Sequence, residues 1–268
     1  MIIVIYRLFF WSFLVLAIFV LTTPIMYLSY EGFFGRYSDP YRSFSLEILS
    51  SIALTVVAST IATAIALAIG APVAYYLARY RFRGQGLVEA LIDLPTSVPH
   101  PLVGIAILLL LGPVGPLSPI LKILGIGNIS YTLIAMILAL LIVSTPVMIK
   151  SLANSFKSMD PQPEIAALTL GISRIRVFLL IALPMSMRSI VNSFAITLAR
   201  SISEFGSIAV VAYYILTPPF QGVKPASVLA WDLFESGGLG AALPASASIF
   251  LLSLAVLFLV RISERISR

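Results

Sequence analysis

Arg200 and Glu204 stand four residues apart within one apolar run, the spacing at which two side chains share a helix face and can pair. Ionisable groups inside a membrane-crossing segment are costly and face the protein interior or water. The pair therefore reads as a gate in a passage or as a device that orients helix packing. It neutralises itself, so Arg200 need not grip an anion. Ser189, Ser193, Thr197 and Ser201 form a row at the same four-residue spacing along that run, and Ser51, Thr55, Ser59 and Thr63 form another in a second run. Such rows suit close helix packing, and they equally suit a passage whose hydroxyls briefly replace the hydration of a solute. Pro95, Pro99 and Pro101 cluster in a third run, where each removes a backbone donor and bends or unwinds a helix. At membrane depth this is tolerated only where protein or water satisfies the freed carbonyls. Asp93 and the single histidine, His100, share that stretch and read as hydrogen-bonded structural groups.

Bond-breaking chemistry has little to work with. There are no cysteines, which removes disulfides, thiolate zinc sites and cysteine nucleophiles. No Ser/His/Asp array, no carboxylate pair with a base and no zinc-spaced cluster is present. The phosphate-cradling pattern G-x-x-x-x-G-K-[ST] is also missing, since none of the four lysines follows a glycine. The expectation is a chain that is not an enzyme and binds no cofactor itself.

The elements that hold these groups belong to a membrane. Of the 268 residues 60% are hydrophobic and 10% are charged, with a mean hydropathy of +1.06. A soluble domain has roughly a quarter of its residues charged, so this chain cannot cover itself with polar groups in water. Disorder, a collagen-like repeat and nucleic-acid binding are excluded; the lipid bilayer is its surrounding. Six apolar runs are each long enough for the roughly 30 Å hydrocarbon layer, which takes about 20 helical residues. They lie near Leu8–Tyr30, Leu46–Leu77, Leu87–Leu111, Ile129–Ile149, Pro184–Tyr214 and Leu239–Val260. The second and fifth exceed a single crossing, so tilt or interfacial extension is expected. The first is longer than the roughly 7–15 apolar residues of a cleaved leader and is expected to be retained.

Charge orients the spans. The net charge is +6, from 17 Lys and Arg against 11 Asp and Glu. Arg7, then Arg79, Arg81 and Arg83, then Lys150, Lys157, Arg174, Arg176 and Arg188, and finally Arg261, Arg265 and Arg268 fall on one side. Only Arg36, Arg42, Lys122 and Lys224 fall on the other. The positive-inside rule makes the first set cytoplasmic, so a multi-pass cell-membrane protein with both termini inside is expected. Outside, Glu31–Ser45 and Pro218–Gly240 read as loops with aromatic, Pro and Gly punctuation. Inside, 151–183 is the largest connection and reads as a helical hairpin. Ile165, Leu168 and Ile172 recur at helical spacing, as do Ile175, Phe178 and Leu179. Gly171 separates the two runs at a C-cap position, Ser173 can cap the second, and Pro161 and Pro163 stand where a helix can begin but not continue.

Glu164-Ile165-Ala166-Ala167, then Gly171, then Ile181-Ala182-Leu183-Pro184 resembles the EAA loop of ABC-transporter permeases, with Ile165 in place of the family's Glu. A narrower likeness joins Leu94-Pro95, Pro99-His100-Pro101, Val103-Gly104-Ile105-Ala106 and Leu111-Gly112-Pro113 to the segment Ala199-Arg200-Ser201-Ile202-Ser203-Glu204-Phe205-Gly206. These stretches look like molybdate/tungstate-type permeases, the last of them like an archaeal tungstate branch. The resemblance implies an all-α polytopic bundle of about six membrane helices, one permease domain over residues 1–268 with a coupling hairpin at 151–183, in the type I ABC importer fold. It further implies a homodimer, two copies of a cytoplasmic ATPase that alone binds ATP-Mg, and an external binding protein that delivers a tetrahedral oxyanion. The docking surface is expected at Glu164, Ile165, Ala166, Ala167, Leu168, Gly171, Arg174 and Arg176. The pathway or gate is expected at Arg200, Glu204, Ser193, Thr197, Ser201, Thr55 and Ser59, with the helix kink at Pro95, Pro99 and Pro101. Sulfate, phosphate or thiamine permeases would keep the same hairpin, and an ion-coupled transporter would have no need of it. Gly171→Pro is expected to abolish ATPase docking while the chain still folds; co-purification of that variant with its ATPase at normal stoichiometry would refute it.

Overall fold

A computed structural model describes residues 2–36 and 43–266, with side chains described throughout except at 2–6, 8, 256–257 and 259–266. Arg42 and Arg268 lie outside the described residues, as do the side chains of Arg261 and Arg265. All regular structure among the described residues is helical, as expected. In chain order the helices are α1 (Ile2–Phe33), α2 (Leu46–Arg79), α3 (Gln85–Ser97), α4 (His100–Leu111), α5 (Ser118–Ile123) and α6 (Leu133–Ser158). They continue with α7 (Gln162–Thr169), α8 (Arg174–Met185, with a π turn at Phe178–Ala182), α9 (Met187–Ile202), α10 (Gly206–Val211) and α11 (Ala226–Ile266). Side-chain oxygens fix two starts: Ser45 Oγ accepts the Ile48 N–H of α2, and Thr132 Oγ1 accepts the Ala135 N–H of α6.

Helices α1, α2, α6 and α11 are long and apolar enough to cross a bilayer. The pairs α3/α4 and α8/α9 bend by 103° and 77°, which gives up to six crossings if each pair counts as one. Several boundaries differ from the sequence reading. The third run is two helices that part at Val98 and Pro99. Helix α6 continues to Ser158, so 151–158 belongs to a membrane helix and the hairpin starts later. Pro184 lies inside α8, the turn into α9 comes at Ser186, and the fifth run stops at Ile202 before the short α10. The stretch read as a loop at Pro218–Gly240 is helical from Ala226, with a backbone break at Gly238 (φ 66°, ψ −162°). Hydropathy registers apolar continuity, and a backbone break inside an apolar run leaves that signal unchanged.

The bundle is centred on α2 against α6. Ala58, Ala62, Ala66, Ala71 and Ala74 are buried on α2 beside Met136, Ala139, Val143, Met148 and Leu152 of α6. Small residues let two membrane helices approach closely, which is where dispersion accumulates when lipid is as apolar as protein. A Cβ on Gly70 would lie 3.2 Å from Met148 Cγ. In contrast α1 leaves Phe9, Trp11, Phe19 and Leu21 exposed, the pattern of a lipid-facing helix. It meets α11 where a Cβ on Gly32 would fall 2.6 Å from Ala247 Cβ.

Helices α4 and α10 pack at glycine distance. A Cβ on Gly104 would sit 2.6 Å from the Ser207 carbonyl oxygen and 2.8 Å from Val210 Cβ, and one on Gly206 would sit 2.9 Å from Pro101 Cδ. Gly104→Ala is therefore expected to cost about 1–3 kcal/mol through overpacking. Its measure is the thermal midpoint of the purified protein, and an unchanged midpoint would mean that α4 and α10 separate freely.

Candidate functional site

Helix α7 stands between two proline-marked starts and a glycine stop. Asp160 Oδ1 accepts the Gln162 N–H at 3.0 Å as the chain enters it. At its end Gly171 takes φ 81°, its N–H reaches the Leu168 carbonyl, and the Ile172 N–H reaches the Ala167 carbonyl. This is a Schellman stop, in which a left-handed residue satisfies carbonyls that the helix leaves unpaired. Ser173 occupies the N-cap of α8, but its hydroxyl makes no capping bond.

Two residues expected on the docking surface point the other way. Glu164 is 4% exposed and Ala167 5%. The Glu164 carboxylate takes hydrogen bonds from Arg79 Nη2 at 2.7 Å, from Arg79 Nε at 3.1 Å to both oxygens, and from Tyr75 Oη at 2.8 Å. Arg79 Nη2 also reaches the Met159 carbonyl at 3.4 Å, and Tyr75 packs against Phe156 and Phe178 at ring distances of 5.4 and 4.9 Å. Glu164 is thus an internal anchor, held in a bidentate, charge-assisted contact with Arg79. Arg174 lies over the Tyr80 ring at 5.1 Å, a cation–π contact that holds α8 to the end of α2. The outward face consists of Ile165, Ala166, Leu168 and Arg176, joined by Ile172 and by Leu170, which is 81% exposed. Leu170 was missed; an apolar residue placed directly before the glycine stop was its one signal.

The second cluster forms where the break between α3 and α4 meets the end of α9. Glu204 is 1% exposed and lies between α9 and α10. Its Oε2 is 2.9 Å from Arg200 Nη2 and 2.9 Å from His100 Nδ1, and its Oε1 accepts the Ser207 N–H and hydroxyl at 3.0 Å each. Arg200 Nη2 is also 3.1 Å from both ring nitrogens of His100. The Ser227 hydroxyl, on the first turn of α11, donates to the Glu204 carbonyl at 2.8 Å. The i, i+4 pair read from sequence therefore exists, and His100 from the proline-rich break joins it. Pro95 lies within α3, Pro99 caps α4 and Pro101 opens its first turn, so the three prolines flank the 103° bend.

The hydroxyl rows take the packing role of the two that the sequence left open. Ser193, Thr197 and Ser201 are buried against α6, and Thr55 and Ser59 are buried on α2. Ser151 and Ser193 share a hydrogen bond at 2.7 Å, Ser201 Oγ donates to Ser144 Oγ at 3.0 Å, and Thr197 Oγ1 donates to the Ser193 carbonyl. A four-residue spacing of small groups makes a ridge, and ridges sit in the groove of the neighbouring helix.

At the end opposite α7, Asp232 pairs with Lys224 and accepts the Tyr213 hydroxyl at 2.6 Å. That hydrogen bond, with burial and the Asp232 charge, pushes Tyr213 up to about 12. Tyr131 and Tyr214 stack at 5.1 Å nearby. Because the chain has no native cysteine, single cysteines report cleanly. A cysteine at Thr197, 0% exposed, is expected to resist a water-borne thiol reagent, whereas one at exposed Ser203 reacts. Equal rates at the two positions would contradict the packing of α9 on α6.

The family model described as the binding-protein-dependent transport system inner membrane component matches residues 66–268. A molybdate/tungstate transport system permease protein of Methanocaldococcus jannaschii is 34% identical over 254 residues, 94% of each chain. Its namesake in Pyrococcus abyssi is 36% identical over 70% of this chain and 67% of that one. A probable sulfate transport system permease protein of Helicosporidium is 29% identical, over 71% of this chain and 68% of its own. Among solved structures, a bacterial alginate ABC transporter in complex with its alginate-bound periplasmic protein matches with a TM-score of 0.71 at 18% identity, over 99% of this chain and 95% of that one. This likeness carries the type I importer fold. Helices, breaks and sequence agree: the chain belongs to the family of binding-protein-dependent transport system inner membrane components.

Proposed function

We propose that this chain is the membrane subunit of an ATP-driven importer for molybdate or tungstate, handed over by an external binding protein. The observation that carries the reading is α7: a short helix locked to α2 by Arg79 and Glu164 that turns Ile165, Ala166, Leu168 and Leu170 outward. A chain without a phosphate loop needs such a face, because energy must reach it by protein contact. Two copies of the ATPase dock on two copies of this subunit, and the solute passes along the two-fold axis between them. The α7 end is cytoplasmic, in keeping with Arg79, Arg81, Arg83, Lys157, Arg174 and Arg176 gathered there, and both termini lie on that side. ATP-Mg is held by the partner alone.

In this reading the junction of Arg200, Glu204 and His100 is the gate. Its charges are paired within the protein, so it offers a passing dianion little to hold, and weak binding favours release. Substrate choice then rests mainly with the binding protein. The oxyanion class follows from relatives named for molybdate and tungstate, one of which matches the chain almost end to end. Sulfate is the second reading, supported by relatives named for it at 26–29% identity. Reconstitution with the ATPase and binding protein separates them. Tungstate or molybdate is expected to raise ATP hydrolysis about tenfold more than sulfate at equal concentration, a difference of about 1.4 kcal/mol. Stimulation by sulfate alone, or by none of the three, would overturn the assignment.

A further inference from the structure

We infer that Arg79 and Glu164 are positioning residues through which α7 moves the Arg200–Glu204–His100 junction by way of α2. The inference rests on the proposed docking of an ATPase at α7. Stability alone does not account for the pair. Enclosing two charges carries a desolvation cost that their attraction does not reliably repay, and apolar side chains of similar volume commonly serve as well. What a bidentate arginine–carboxylate contact adds is fixed geometry. Here it joins α7 to the last turn of α2 across 85 positions of sequence, and the same guanidinium reaches the end of α6 at the Met159 carbonyl.

Besides α6, which Arg79 also touches at Met159 and which is hydrogen-bonded to α9, two routes lead from α7 to the junction. The covalent one runs through α8 into α9 and crosses three soft points: the Gly171 turn, the π turn at Phe178–Ala182 and the 77° bend before Met187. Each is a place where a helix yields rather than pushes. The other runs along α2, a single helix of 34 residues with one interior proline, Pro72, about 50 Å at 1.5 Å per residue. Near the far end of α2, Thr55 Oγ1 accepts the Ala226 N–H of α11 at 2.9 Å. The next residue, Ser227, donates to the Glu204 carbonyl at 2.8 Å, and the Glu204 side chain holds Arg200 and His100. Every link is a direct contact, and Glu164, Thr55 and Glu204 are all buried. A shift of α7 on its ATPase is thus passed to α2 at Arg79 and leaves α2 at Thr55.

The test uses the complex of permease and ATPase subunit in proteoliposomes without solute, with Ser203→Cys as reporter. Labelling by a water-borne thiol reagent is timed with and without a non-hydrolysable ATP analogue. In the reference complex the analogue is expected to change the rate about tenfold, a typical coupling between sites. Arg79→Met is expected to abolish that response while the ATPase still co-purifies at reference stoichiometry, and Arg79→Lys, which keeps the charge, to restore part of it. Thr55→Val is expected to weaken the response, and the double variant to be no worse than the more severe single one, as for two points on one route. A full response in Arg79→Met, losses that simply add, or loss of the ATPase from the complex would overturn the inference; the last would make the pair a docking element. Should Arg79→Met fail to fold, Arg79→Lys and Thr55→Val carry the same comparison. Since no solute is present, a wrong oxyanion assignment leaves these outcomes unaffected. A reference complex indifferent to nucleotide would refute the docking reading and this inference together.

Discussion

A polar group inside a bilayer has no water to fall back on, and the architecture of this protein follows from how it meets that constraint. Each broken span frees backbone donors and acceptors at membrane depth, where an unsatisfied group costs several kcal/mol. The break between α3 and α4 and the interruption between α9 and α10 are brought to one place. Glu204 accepts the Ser207 N–H and hydroxyl at the start of α10 and pairs with Arg200 and His100. Gly104 and Gly206 let α4 and α10 close to a separation that any larger side chain would forbid. With the breaks enclosed, the remaining spans can be plain apolar helices, and α2 and α6 supply the close-packed frame.

Polarity is concentrated at two ends of that frame with different purposes. At the α7 end a charged pair is enclosed so that an apolar face can be presented outward without moving relative to α2. At the junction a charged cluster is enclosed where α3 and α4 part and α9 gives way to α10. Neither site leaves a buried ion without a partner of opposite sign. The hydroxyl rows belong to the frame: Ser193, Thr197 and Ser201 bind α9 to α6, and Thr55 ties α2 to α11.

Much of this was written in the residues. Composition and the six apolar runs gave the membrane class, because transfer to lipid is decided by side-chain apolarity summed along a stretch. The helix–turn–helix around Gly171 was legible because its stop is local: a glycine at positive φ, with bonds closed within six residues. The pairing of Arg200 with Glu204 was legible for the same reason, since four residues apart on a helix is a contact by construction.

Tertiary structure alone decided the rest. That Glu164 faces inward depended on Arg79, 85 positions away, and no local pattern reports a partner at that distance. That His100 joins Glu204, and that Ser193 and Ser201 are hydrogen-bonded to α6, depended on which helices pack together. Apolar periodicity is satisfied equally by lipid and by protein, so the sequence determined which segments enter the membrane. Only their packing determined which face of each meets a neighbour, and therefore where its few charges come to rest.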